Sequence, residues 1–152
     1  MSDGYIMELR KLVGRRTLIQ CAASVFCIDR DGRLLLGKRS DNGKWGYAGG
    51  SVEIDEPVED CARRELQEEM GLIADELEFF CVNSGPEAHY VYPNGDEVSN
   101  VEIIYLCRKY HGEVSAADGE MTDLRFFRPD EIDLEMISPP IRSVIKKYLI
   151  EH

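Results

Sequence analysis

Glu65, Glu68 and Glu69 are the residues of this chain whose type and spacing point most directly to chemistry. They lie in the strongly helical run Arg64-Glu65-Leu66-Gln67-Glu68-Glu69-Met70-Gly71. At i, i+3 and i+4 on a helix turning about 100° per residue, they fall within an arc of roughly 100°. Carboxylates this close repel by a few tenths of a kcal/mol per pair, so something must offset the cost. A solvated acidic face is the ordinary explanation of a glutamate run. The helical wheel argues against it. Val58, Cys61, Ala62, Leu66 and Met70 form the apolar stripe, with Glu65 and Glu69 inside it and Glu68 at its edge. Asp60, Arg63, Arg64 and Gln67 take the solvated side. Unpaired charges on the rim of a core are costly. A hard dication resolves the cost, because Mg2+ is held by a few carboxylates together with waters and substrate phosphates.

The helix has defined ends. Pro57 opens it at a tolerated first-turn site, Glu59 and Asp60 suit the positive end of its dipole, and Gly71 stands where a left-handed C-terminal residue belongs. Upstream, Gly49-Gly50 by themselves mark a plain turn.

Gly50, Glu56, Arg64, Glu65, Leu66, Glu68, Glu69, Gly71 and Leu72 occupy every fixed position of the Nudix box, so residues 50–72 resemble the signature of the Nudix (MutT-like) hydrolases. The approach Trp45-Gly46-Tyr47-Ala48-Gly49-Gly50 is similar to the family's W-x-x-P-G-G. Ala48 replaces the usual proline, and Asp55 stands where glycine often precedes the box glutamate. The resemblance implies an α/β fold, the Nudix α/β/α sandwich with a mixed β-sheet, as a single domain over residues 1–152. It implies cleavage of a phosphoanhydride bond in a nucleoside diphosphate linked to another moiety.

By the same resemblance, Glu65, Glu68 and Glu69 ligate Mg2+ or Mn2+, assisted by the Gly49 carbonyl. Glu120, in the late loop Gly119-Glu120-Met121, is a further ligand or the catalytic base. Members of the family differ in which glutamate serves as base, so Glu65, Glu68 and Glu120 all stand as candidates. Glu56 and Arg64 take the supporting role of orienting the ligands. ADP-ribose or another nucleoside diphosphate sugar is the first substrate expectation and a (d)NTP the second. Pro86 and Tyr90 fall near positions associated with ADP-ribose and dinucleoside polyphosphate members respectively, and do not decide between them. A Nudix-fold sensor that binds a nucleotide without cleaving it is the alternative. An acidic protein holding Ca2+ structurally is a more distant one, since no EF-hand spacing is present.

Trp45, Tyr47, Tyr90 and Tyr92 are the candidates for stacking a base, against ordinary packing. Lys38, Arg39 and Lys44 lie just upstream of the box, within reach of a phosphate or simply solvated. Composition sets the outer limits. A formal net charge of −11 opposes nucleic-acid binding. No apolar run is long enough to span a membrane, and no signal peptide is evident, so a cytoplasmic protein with a small-molecule nucleotide substrate is expected. Five scattered cysteines (Cys21, Cys27, Cys61, Cys81, Cys107) read as reduced core residues, without a zinc pattern.

The remaining pattern predicts a helix over residues 1–13, packing on the domain or on the partner of a homodimer. A strand is expected over 17–28, turning at Asp31-Gly32 into a paired strand over 34–39. Further strands are expected at 77–82, 89–92, 98–107 and 123–127, with a polar loop over 112–122 and a closing helix over 141–150.

Overall fold

Leu18–Cys27 (β1) alternates in burial near its start and is buried on both faces beyond Ala22, as a central strand must be. Both of its edges are paired: antiparallel with Ala48–Ser51 (β4) and parallel with Glu97–Gly112 (β7). The computed structural model describes residues 4–116 and 118–152, and within it Leu72–Asn83 (β5) and His89–Val91 (β6) each add antiparallel to β7. The result is a five-stranded mixed sheet of order β4-β1-β7-β5, with β6 also on β7. A separate antiparallel sheet joins Leu34–Arg39 (β2) to Trp45–Gly46 (β3) on one side and Met121–Phe127 (β8) on the other.

The expected pairing of β2 with β1 is therefore corrected. The turn forms, with Asp29 accepting from the backbone N–H groups of Asp31 and Arg33. Only the bridge between Ile28 and Leu34 follows it. Because β4 and β7 occupy both edges of β1, β2 turns away to pair with β8.

Val58–Met70 (α2) covers one face of the mixed sheet, packing Cys61, Ala62, Leu66 and Met70 onto Ala23, Val25 and Cys27. Leu66 and Met70 are fully buried, each contributing about 1.5–3 kcal/mol of apolar transfer. Arg142–Glu151 (α3) places Val144, Ile145 and Tyr148 in the opposite core, with Phe26, Ile104 and Leu106. This is the α/β/α layering that the resemblance implied.

Tyr5–Val13 (α1) lies on its own chain. Arg10 is buried and donates to the carbonyls of Gly14, Arg16 and Glu97, which ties the helix to β7. Residues 1–3 of the expected helix lie outside the described residues, as does residue 117 of the expected late loop. β5 begins directly after Gly71 rather than at residue 77. Register shifts along its pairing with β7 disrupt the alternation that would have revealed it. Three cysteines are buried, but Cys21 is exposed and Cys81 half-buried, so the reading of all five as core residues is too broad; all are free. Among the described residues no helix is long and apolar enough to cross a membrane.

Candidate active site

The carboxylates of α2 meet the strand β4. Glu65 lies so close over Gly50 that a Cβ there would stand 2.5 Å from its carboxyl group. Glu69 is buried, Glu65 is half-buried, and Glu68 is exposed at the rim. Desolvation pushes both Glu65 and Glu69 above the usual carboxylate range, and the charge of Glu65 raises Glu69 further. Each also feels charge from outside the pair: Glu68 raises Glu65, while Glu120 and Asp118 raise Glu69. Glu120, on the loop before β8, is itself raised by desolvation and then by Asp118 and Glu65. The four glutamates singled out in the sequence thus share one electrostatic neighbourhood. Among the described residues, no group of three or more His, Cys, Asp or Glu side chains is gathered closely enough to hold a metal ion.

Arg64 occupies the middle of this group. It takes Glu56 in a two-pronged grip, Nε to Oε2 at 2.9 Å and Nη2 to Oε1 at 3.0 Å. Nη1 reaches Glu65 at 2.8 Å and Glu68 at 3.5 Å. Nη2 also donates to the Ser51 carbonyl at 3.2 Å, fixing α2 to the end of β4. Glu56 closes its own loop, accepting from the Glu53 N–H at 3.2 Å, and its proximity to Arg64 holds it below the usual range. Asp55 has φ +63°, the left-handed region in which glycine is at ease, which accounts for the glycine common at this position.

Beside Gly49 and Gly50, on the α3 face of the sheet, lies a cavity of about 100 Å3. Tyr90 and Tyr92 line it, their rings edge to face at 4.9 Å. Tyr47 also lines it, but its ring is buried and stacked on Phe26. Trp45 is not part of this lining. It packs edge-on against Phe127 at 4.9 Å beneath the Arg125 guanidinium. Of the three basic candidates only Arg39 lines the cavity, held by both oxygens of Asp41. Lys44 donates to the Glu135 carbonyl and Lys38 is exposed.

Sequence reasoning missed the cavity's polar floor. Glu102 is buried there and accepts from Ser24 Oγ at 2.5 Å, Tyr47 Oη at 3.1 Å and Asn83 Nδ2 at 3.2 Å. Burial raises its pKa against these three hydrogen bonds. Gln20 joins it from β1. The signal was parity: Gln20 and Ser24 fall on the same face as buried Ala22 and Phe26.

A NUDIX domain model matches residues 19–148, and the chain belongs to this family, the Nudix (MutT-like) hydrolases. A MutT-like protein of Streptomyces ambofaciens is 33% identical over 109 residues, covering 72% of this chain but only 64% of that relative. The ADP-ribose pyrophosphatase of Methanocaldococcus jannaschii is 31% identical over 148 residues, covering 95% of this chain and 82% of the relative. The nucleoside triphosphatase NudI of Salmonella arizonae is 28% identical over 127 residues, covering 78% and 89%. Among solved structures, the MutT NUDIX hydrolase of Burkholderia pseudomallei superposes with a TM-score of 0.69 at 29% identity, over 84% of this chain and 96% of that one.

Proposed function

We propose that the chain hydrolyses a phosphoanhydride bond in a nucleoside diphosphate linked to another moiety, using a divalent cation. The observation that carries this reading is the pair Glu65–Glu69, the first half-buried against Gly50 and the second buried, two neighbouring desolvated carboxylates whose charge a proton or a cation must offset. Hard carboxylate oxygens fit Mg2+ or Mn2+. Glu65, Glu68 and Glu69, with the Gly49 carbonyl and Glu120, are the residues that would hold the cation, and their side chains would have to draw closer together to do so. Bound there, it supplies charge neutralisation at the diphosphate and a more acidic water.

The chain's own residues do the rest. Arg64 and Glu56 orient Glu65 and Glu68. Arg39, on the cavity wall, is positioned to take a phosphate, and Tyr90 and Tyr92 offer ring surface to the rest of the ligand. Glu65, Glu68 and Glu120 remain the candidates to take a proton from the attacking water. An ADP-ribose-like substrate is the first choice, supported by a relative of that name aligned over nearly the whole chain; a nucleoside triphosphate is the second, supported by the NudI relative.

The test is product release with Mg2+ or Mn2+ across nucleoside diphosphate derivatives and (d)NTPs, beside Glu68→Gln. Cleavage of one class, lost in the variant, is the expected result. Nucleotide binding without turnover for any substrate would instead establish a sensor.

A further inference from the structure

Gln20 is 8% exposed and lies on the cavity wall. Among the described residues its side-chain amide has no hydrogen-bond partner, and because no unpaired side-chain N or O is fully shut in, the amide opens onto the cavity. Two donors and an acceptor are thus held in a mostly buried place with only the cavity to serve them. Glu102 stands nearby on the adjacent parallel strand. Gln20 is in register with Asn100 and Ala22 with Glu102, so the two side chains share a face, offset by two residues. A carboxylate has about four acceptor sites. Glu102 Oε1 receives both Tyr47 and Asn83, whereas Oε2 receives only Ser24, which leaves one open position on Oε2.

We propose that Gln20 and Glu102 read the hydrogen-bonding edge of a nucleobase, with Glu102 accepting from a ring N–H or exocyclic amino group and the Gln20 amide pairing with the neighbouring donor and acceptor. The inference rests on the nucleotide-hydrolase reading and adds to it the residues that select the base. Sugar hydroxyls would satisfy the same two side chains, but they would leave the aromatic faces of Tyr90 and Tyr92 without a planar partner. Ser24, Tyr47 and Asn83 fix the Glu102 carboxylate in advance, so little freedom is lost when a ligand edge arrives.

The experiment compares kcat/KM for adenine, guanine, hypoxanthine, cytosine and uracil forms of the substrate that the wild-type enzyme accepts. It uses wild-type protein, Gln20→Leu and the more conservative Gln20→Glu. Wild-type protein is expected to rank the bases, and Gln20→Leu to compress that ranking by about tenfold, through KM rather than kcat. Gln20→Glu, which exchanges donors for an acceptor, is expected to reorder the ranking toward bases with amino groups. A uniform loss that keeps the ranking would assign Gln20 a structural role and overturn the proposal. So would a wild-type enzyme that hydrolyses nucleotides with no preference among bases, or one whose preferences follow the sugar alone. A wild-type protein that hydrolyses none of them would strike first at the hydrolase reading itself.

Discussion

Arg64 grips Glu56 with two nitrogens while its third touches Glu65, so a single guanidinium links the loop before α2 to the carboxylates on it. Lysine has one charged nitrogen and cannot reproduce the fork. Arg64→Lys is expected to fold and to bind Mg2+ or Mn2+ about tenfold or more weakly, the scale of losing a residue that orients ligands. Metal titration by calorimetry checks this; unchanged affinity would remove Arg64 from the orienting role.

Glu65→Gln keeps the shape of the side chain and the contact with Gly50. It is expected to lower turnover about a hundredfold, the scale of a lost general base, without unfolding the protein. Steady-state kinetics beside a thermal melt separate the two effects, and an unchanged rate would exclude Glu65 as the base.

The shifted carboxylates predict how stability depends on pH in metal-free protein. Glu56 is held low by Arg64; a depressed group's contribution is lost as pH falls through its folded value, which confines it to acid below about pH 4.5. Glu65, Glu69, Glu102 and Glu120 are raised, chiefly by desolvation. Their contribution is full below the unfolded value and is lost as pH rises through the folded one. Tm in chelator should therefore fall as pH rises above the ordinary carboxylate value of 4.5, and added Mg2+ should restore most at the alkaline end. A Tm that rises over this window in chelator counts against the buried pair.

Asp55 carries a side chain at φ +63°. Glycine relieves that strain but loses more backbone freedom on folding, so Asp55→Gly is expected to gain about 0.5 kcal/mol net. Chemical denaturation measures it, and a destabilised variant would show that the aspartate side chain contributes more than its backbone conformation costs.

What could be read from sequence was local. α2 announced itself through its apolar stripe, and Gly71 takes the left-handed conformation at its C-terminus that its position implied. Pairing between strands was harder. β2 followed a good turn yet found its partner in β8, 93 positions later at Leu34 and Phe127, because the edges of β1 were already taken. The site divides in the same way. Its carboxylates sit on one helix and declare themselves by spacing. Gln20 and Glu102 meet only through the register of two strands far apart in the chain, and Trp45, a natural candidate for stacking, is drawn off by Phe127.

Gly49 and Gly50 are consecutive in β4, and each lies flush against a different functional group: Gly49 against Ser24, which holds Glu102, and Gly50 against Glu65. β4 is also the last strand on its side of the mixed sheet. It is thus a partition one strand thick between the cavity floor and the carboxylates. A ligand that touches both must bend around a free border, so the flexibility of its own linkage, as much as its chemical groups, decides what fits.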